Sequence, residues 1–280
     1  MSYKTIVVLM QGMEDADKVL DCAIPFASRY GSHLIGVHAE PLPVAFTAAP
    51  MGFPDAAVLQ ASTEASRERG AALEARFVER LEGAAVSFEW RGMETVTGDT
   101  AHSSVSVART ADLIIAMQPH PDTAGEPTGD VESLMFEAGR PVLFAPYGRP
   151  FPVSCQRIAV AWNGSREAAR ATFDALPLIC EAEMTEIFVV DAVEETTMDT
   201  VSSADDLAAA LSRHGARVSV SHARSEGHSI ETVIAHHTVE IRADLLVLGA
   251  YSHSWLREFL FGGVTRHILK SMPVATFTSH

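Results

Sequence analysis

Two pairs of short runs in the sequence repeat at the same offset. Residues 111–116 read Ala-Asp-Leu-Ile-Ile-Ala and residues 243–248 read Ala-Asp-Leu-Leu-Val-Leu, and a second matching run follows each, beginning beside Pro141 and Pro273. Both pairs are offset by 132 residues. Repetition over such a length indicates two duplicated domains, because the units of solenoid proteins are only about 20–50 residues long.

The two halves also begin alike. Thr5-Ile-Val-Val-Leu corresponds to Arg157-Ile-Ala-Val-Ala, and a chain of 280 residues has room for two domains. A stretch rich in Pro and Gly, residues 146–152, separates the halves as a breaker segment. We therefore predict an N-terminal domain over residues 1–147, a linker over 148–155 and a C-terminal domain over 156–280.

Each half alternates short apolar runs with longer helical stretches. The runs are rich in Val, Ile and Leu, which is typical of parallel strands buried on both faces. In the second half they predict strands near residues 156–161, 185–191, 216–222, 244–249 and 273–277, with helices near 165–181, 200–214, 228–241 and 256–271. This alternation predicts right-handed βαβ units. The predicted fold class is α/β, with two doubly wound, five-stranded, mostly parallel sheets in tandem.

Composition limits the classes of partner. The formal net charge is −15, which opposes non-specific nucleic-acid binding. No apolar run approaches the roughly 18 residues of a membrane-spanning helix, and the N-terminus lacks a signal-peptide pattern. The three cysteines never form a C-x-x-C motif, and the twelve histidines show no metal-ligand spacing. We expect a cytoplasmic protein that binds neither nucleic acid nor membrane.

A glycine-rich stretch after the fourth strand of the second half is the strongest functional signal. Gly249 ends the strand, and Gly262-Gly263 directly precedes a helical segment that begins with Val264-Thr265. A glycine turn that enters a helix points main-chain N–H groups and the positive end of the helix dipole at one spot, which suits a phosphate. The alternative is that these glycines serve only a tight loop and close packing. Neither a Walker loop nor a G-x-G-x-x-G fingerprint occurs.

The first strand of the second half ends in Ala161-Trp162-Asn163-Gly-Ser165. Asn163 or Ser165 is a suitable cap for the helix that follows. Asn163 also stands at the carboxyl end of a strand, where ligands bind in open α/β sheets, so its amide is a candidate contact for a ribose hydroxyl.

These motifs resemble those of a tandem universal stress protein, whose domains have the adenine nucleotide α-hydrolase-like fold. Nucleotide-binding members of that family carry G-x2-G-x9-G-[ST] after the fourth strand, and this chain has Gly249, Ser252, Gly262 and Gly263 at that spacing. The resemblance implies a ribose contact at Asn163, where the family has Asp, and a main-chain contact to adenine at Val189. It implies a pocket for ATP or another adenine nucleotide, with Mg²⁺ where ATP is the ligand, lined by Ala161, Trp162, Asn163, Val189, Leu248, Gly249, Ser252, Gly262, Gly263, Val264 and Thr265.

The first half departs further from this pattern. Its segment after the fourth strand, residues 118–130, contains prolines and acidic residues, and no Gly-Gly or Gly-Ser pair precedes its helix. Proline removes main-chain donors and acidic residues repel phosphate. Gln11 or Gly12 stands where the ribose contact belongs. We interpret this half as a degenerate domain that does not bind nucleotide.

Three functions remain open from the sequence. The first is a stress-response regulatory protein that binds an adenine nucleotide in its C-terminal domain. The second is an interaction protein whose pocket no longer binds nucleotide, and the third is an enzyme, such as a slow ATPase or a nucleotidyl-transfer enzyme. Efficient catalysis is not predicted, because Glu258 is the only acidic residue in the glycine-rich segment.

The resemblance also implies an arrangement of the domains. Such domains pair through their last strands, so segments 141–145 and 274–277 are expected to pair antiparallel within the chain and form a pseudo-dimer. Association of two chains into a homodimer stays open. The apolar segment 44–54 is either a loop over its own core or a lid or subunit contact.

Overall fold

The structure is a computed structural model. It describes residues 2–41, 56–95, 98–118, 131–148, 151, 154–191, 197–250, 268–269 and 271–280. The segment predicted as a lid, most of the predicted helix 256–271 and part of the predicted linker lie outside the described residues.

Strands and helices alternate in each half, as the sequence predicts. The ten strands of the described residues are β1 (Thr5–Leu9), β2 (His33–Pro41), β3 (Ser87–Thr95), β4 (Leu113–Met117), β5 (Val142–Ala145), β6 (Arg157–Ala161), β7 (Met184–Val190), β8 (Val218–Ala223), β9 (Leu245–Gly249) and β10 (Ala275–Ser279). The helices are α1 (Met13–Tyr30), α2 (Ala56–Leu81), α3 (Thr100–Ala108), α4 (Val131–Ala138), α5 (Arg166–Asp174), α6 (Leu176–Glu181), α7 (Thr197–Arg213) and α8 (Ile230–Glu240).

Several predicted elements have different bounds in the structure. The predicted helix 165–181 is two helices, α5 and α6, which meet at Ala175. Pro177 lies in the first turn of α6, and proline has no N–H with which to continue the hydrogen bonds of α5. The last strand spans 275–279 rather than 273–277.

The described residues divide into two compact units. The N-terminal unit is made mainly of Tyr3–Ala116 and holds four parallel strands in the order β3, β2, β1, β4. Its central strand β1 is aligned with β2 on one side and β4 on the other, so that Ile6 lies opposite Leu34 and Leu113. All three side chains are fully buried.

The C-terminal unit is made mainly of Gly139–His280, and its strands run in the order β5, β10, β9, β6, β7, β8. The strands β10, β9, β6, β7 and β8 are parallel to one another. Strand β5 comes from the first half of the sequence and pairs antiparallel with β10, with Phe144 opposite Thr276. The predicted pairing of the two last strands is therefore present, and the predicted α/β class with five strands from each half is confirmed.

One carboxylate anchors the first strand in each half. Asp112 Oδ2 accepts the main-chain N–H groups of Lys4 and Thr5 at 2.8 and 3.0 Å. Asp244 Oδ2 accepts those of Gln156 and Arg157 at 2.7 and 2.9 Å. Each aspartate precedes the fourth strand of its half. It therefore holds the start of the first strand, which pairs with that fourth strand.

The strand order of the C-terminal unit fixes where a ligand can bind. From β6 the chain proceeds outward through β7 and β8, and then returns to the other side of β6 with β9. In open α/β sheets the crevice for ligands lies beyond the carboxyl ends of the strands where the order reverses, which here is between β6 and β9.

Candidate functional site

The predicted ligand residues of β6, β7 and β9 meet at one edge of the C-terminal sheet. Ala161 lies opposite Leu248 of β9 and opposite Phe188 of β7. The residues that follow these three in the chain, Trp162, Gly249 and Val189, are therefore neighbours at the reversal point. Of the candidate residues, Ser252, Gly262, Gly263, Val264 and Thr265 lie outside the described residues.

Trp162 continues the sheet by one residue beyond β6. Its main-chain N–H donates to Phe188 O at 2.9 Å, and its side chain is only 8% exposed. Val189 is buried on the neighbouring strand, with 1% of its surface exposed. Both residues at this edge are thus apolar and covered by the protein.

The turn from β6 into α5 is held by its own side chains. Asn163 Oδ1 accepts the main-chain N–H of Ser165 at 3.1 Å, and Ser165 Oγ accepts that of Ala168 at 3.1 Å. Gly164 between them has φ of 74°, a left-handed conformation that favours glycine. Ser165 is thus the helix cap, one of the two candidates from the sequence. Asn163 is exposed at the mouth of the crevice.

Gly249 lies where helix α5 crosses the end of β9. A Cβ atom at this position would meet Ala168 N at 2.3 Å and the carbonyl carbon of Glu167 at 2.5 Å. Both atoms belong to the main chain, so neither can move aside alone. Close packing of helix on strand accounts for this glycine, as one of the two interpretations from the sequence proposed.

Glu167 is a buried acid that sequence reasoning missed. It is 4% exposed, and Arg166 Nε donates to its Oε1. Burial raises the pKa of Glu167, but hydrogen bonds from Arg166 and from its own main-chain N–H outweigh burial, so the pKa lies below its usual value. No sequence signal separates this glutamate from a solvent-facing acid in a first helical turn. Its burial follows from the close approach of α5 to Gly249.

Asp191 marks the end of β7 at the same edge. It has φ of 46°, and its Oδ1 accepts the N–H of Ser225 at 2.8 Å. The hydrogen bonds from Ser225 lower the pKa of Asp191 below its usual value, with a smaller contribution from Arg224. The aspartate therefore ties the loop after β8 to the end of β7.

The corresponding edge of the N-terminal unit is occupied by a polar cluster. His38 Nδ1 lies 2.6 Å from Met10 O, and its Nε2 lies 3.1 Å from Glu40 Oε1. Arg69 Nη2 donates to Glu40 Oε2 at 2.8 Å. Both His38 and Glu40 are at most 8% exposed. The sequence did not predict this cluster, although His38 and Glu40 are unusual polar residues within an otherwise apolar strand.

Gly98 closes the same edge from the loop before α3. It has φ of 66°, and a Cβ atom there would meet Pro41 at 2.6 Å. Thr100 Oγ1, at the start of α3, accepts the N–H of Ala39 at 3.1 Å. The loop thus packs directly on the end of β2.

Within the described part of the chain, no group of three or more His, Cys, Asp or Glu residues is arranged to hold a metal ion. None of the helices described there is both long and apolar enough to cross a lipid bilayer.

Residues 154–277 match the model of the Universal stress protein family. The whole chain is similar to the crystal structure of a universal stress protein from Archaeoglobus fulgidus DSM 4304, with 15% identity, coverage of 98% of this chain and 95% of that chain, and a TM-score of 0.72. It is also similar to a protein of unknown function from Pseudomonas aeruginosa PAO1, with 17% identity, coverage of 99% and 92%, and a TM-score of 0.61. At these identities the two structures show a shared fold. The chain matches none of the curated proteins with which it was compared.

Proposed function

We propose, from the premise that the C-terminal half of this chain belongs to the universal stress protein family, that this half binds an adenine nucleotide at the reversal point between β6 and β9. The protein would then act as a regulator whose regulatory state depends on the nucleotide that it binds. One observation carries the proposal: Trp162 and Asn163 flank this crevice on one side, and Gly249, the first glycine of the family-like loop, lies on the other.

The described residues suit the parts of a nucleoside. Val189 and Trp162 are apolar residues at the strand ends beside the crevice, and apolar residues are the usual lining of sites for a planar base. Asn163 is exposed beside them, and its side-chain NH₂ is a donor that a ribose hydroxyl can accept from. The glycine-rich segment would supply main-chain N–H groups to phosphate, with Mg²⁺ accompanying ATP if ATP is the ligand.

A second candidate function is supported by Gly249. The close contact between α5 and β9 explains this glycine without any ligand, as expected of an interaction protein whose pocket no longer binds nucleotide. Hydrolysis of ATP is not proposed, because the buried acid of this edge, Glu167, is already engaged by Arg166.

Analysis of the purified protein tests the proposal directly. Denatured protein should release an adenine nucleotide detectable by mass spectrometry, and calorimetric titration with adenosine, AMP and ATP should show binding of at least one. Gly262→Val should abolish binding, because a branched side chain restricts the main chain of the loop. The matched control is Gly129→Val, which changes the glycine before α4 in the N-terminal half and should leave binding intact.

Two results would contradict the proposal. If no adenine compound is retained and none of the three gives heat, the interaction protein is the better description. If Gly129→Val abolishes binding and Gly262→Val does not, the nucleotide site lies in the other half. The domain boundaries at residues 147 and 156, the pseudo-dimeric and homodimeric arrangements and the cytoplasmic location remain predictions.

A further inference from the structure

The outermost strands of the two units carry different side chains. Strand β3 is outermost in the N-terminal unit, and β8 is outermost in the C-terminal unit. Three charged residues lie along β3, namely Glu89, Arg91 and Glu94, and Arg91 Nε donates to Glu89 Oε1 at 2.8 Å. Strand β8 reads Val-Ser-Val-Ser-His-Ala and contains no Lys, Arg, Asp, Glu or Pro. Proteins commonly use charges and prolines to keep an edge strand from pairing with another chain, and β8 lacks both.

The main-chain groups of β8 point alternately toward β7 and toward the free edge. Thr185 N–H of β7 donates to the carbonyl oxygen of Arg217, the residue before β8, at 2.8 Å. Because successive residues of a strand turn their main-chain groups to opposite sides, Val218, Val220 and His222 turn theirs away from β7. Among the described residues, none makes a hydrogen bond to the N–H or C=O groups of these three. The free edge therefore presents a row of donors and acceptors.

Strand β8 is held in place by its own unit. Its six residues are all aligned with residues of β7, from Thr185 to Val190. Ser221 Oγ donates to Glu186 Oε1 of β7, and His237 Nε2 of α8 lies 2.8 Å from the same oxygen. The strand is thus already formed, and pairing with another strand would cost it little conformational entropy.

We infer that β8 is an interface between two copies of this chain, in which the two β8 strands pair antiparallel about a two-fold axis at Val220. In this register Val220 lies opposite Val220 of the second copy, and Val218 lies opposite His222. All three residues turn their main-chain groups outward, so each pair can exchange two hydrogen bonds. A two-fold axis makes the same patch of both copies complementary to itself. The inference is independent of nucleotide binding.

The residues that flank β8 favour a second copy as the occupant. Arg217 precedes the strand and Arg224 follows it, so both ends of the edge are basic. Pairing about Val220 places Arg217 opposite Ala223 and Arg224 opposite Ala216, and no two like charges are opposed. The other end of the parallel set is closed, because β10 pairs with β9 on one side and β5 on the other. Strand β8 is therefore the edge of this unit at which a copy can be added.

Sedimentation equilibrium of the full-length protein over a range of concentrations tests the inference. We expect a reversible equilibrium between one chain and two. Val220→Lys and Val220→Glu each place two like charges directly opposite at the axis, with Cα atoms about 5.5 Å apart. Each variant alone should raise the dissociation constant at least about tenfold. An equimolar mixture of the two places Lys opposite Glu and should form a dimer again.

Ser219→Lys is the matched control. It adds the same charge to the same strand at an exposed position, but residue 219 lies opposite Ser221 of the second copy rather than opposite itself. The dissociation constant should therefore change much less than in Val220→Lys. Circular dichroism establishes that all three variants fold.

Hydrogen exchange of the wild-type protein gives a second measurement that needs no variant. On raising the protein concentration, the amides of Val218, Val220 and His222 should exchange more slowly, because they would donate to the second copy. The amides of Ser219 and Ser221 turn toward β7 and should be much less affected.

Four results would overturn the inference. The first is a wild-type protein that remains a single chain at every concentration, and the second is a dimer that both Val220 variants leave intact. The third is a mixture of the two variants that stays monomeric, which would exclude pairing about Val220. The fourth is growth into assemblies larger than two chains, which would mean that β8 pairs with a different strand. None of these results would bear on whether the C-terminal half binds a nucleotide.

Discussion

The carboxyl ends of the second strand differ between the two halves of the chain. Main-chain hydrogen bonds from Met10 to Val37 O and from Trp162 to Phe188 O, both 2.9 Å, align the two edges. The next residue is then His38 in the N-terminal half and Val189 in the C-terminal half. The histidine is bound to its own protein on both ring nitrogens, whereas the valine offers only apolar surface.

The fourth strands differ as well. At the offset of 132 residues, Met117 of β4 corresponds to Gly249 of β9. Both positions lie at the end of a central strand, but only Gly249 lets the main chain of a helix pack against it. By contrast, the anchors Asp112 and Asp244 hold the first strands through the same atoms. The two halves therefore share the aspartates that hold their first strands and differ at the edge where the nucleotide site is proposed.

Replacing the glycine that distinguishes β9 should have the largest effect. Gly249→Ala places a Cβ atom within 2.5 Å of two main-chain atoms of α5, so helix and strand must separate. We expect a loss of about 3 kcal/mol in the free energy of unfolding, at the upper end for overpacked cores. Urea denaturation followed by circular dichroism measures this loss.

A second glycine supplies the control. Gly83→Ala adds the same methyl group where nothing lies within 4 Å, so the free energy of unfolding should change by less than about 0.5 kcal/mol. If both variants unfold at the same urea concentration, close packing of α5 on β9 does not explain the glycine at position 249. A contact with a ligand would then be the better explanation.

Transferring the C-terminal residue into the N-terminal half should have an intermediate effect. His38→Val removes the ring that contacts both Met10 O and the buried carboxylate of Glu40. Glu40 keeps its hydrogen bond from Arg69, so we expect a loss of about 2 kcal/mol rather than the cost of an unpaired charge.

A double-mutant cycle sharpens this result. Because His38 and Glu40 contact each other, the effects of His38→Val and Glu40→Val should fall short of additivity by about 1 kcal/mol. Nucleotide binding in the other half should be unaffected. If the losses in the free energy of unfolding are additive, the two residues are not energetically coupled. The His38–Glu40 contact would then not be what closes this edge of the N-terminal half.

The fold was predictable because its signals are repeated and local. Apolar runs of Val, Ile and Leu predict β1, β4, β6 and β9, and breaker residues bound them. The capping of α5 by Ser165 was among the predicted alternatives, since the side chain and its N–H partner are three residues apart.

The details of the edge were not predictable in this way. The burial of Glu167 depends on Gly249, which lies on another strand far along the chain. The contact between His38 and Glu40 is local, but its closure by Arg69 depends on how α2 packs on the sheet. Such contacts follow from tertiary packing, and no spacing in the sequence encodes them.

The anchoring aspartates are equivalent in the two halves, and replacing either one should have the smallest effect on stability. Asp112→Asn and Asp244→Asn each keep an acceptor oxygen but lose the charge that strengthens two hydrogen bonds to the main chain. We expect each to cost about 1 kcal/mol. Hydrogen exchange should accelerate at the amides of Thr5 in the first variant and of Arg157 in the second. Each aspartate accepts these hydrogen bonds from the first strand of its own half. If exchange accelerates at both amides in either variant, or accelerates in only one of the two variants, the two anchors are not equivalent.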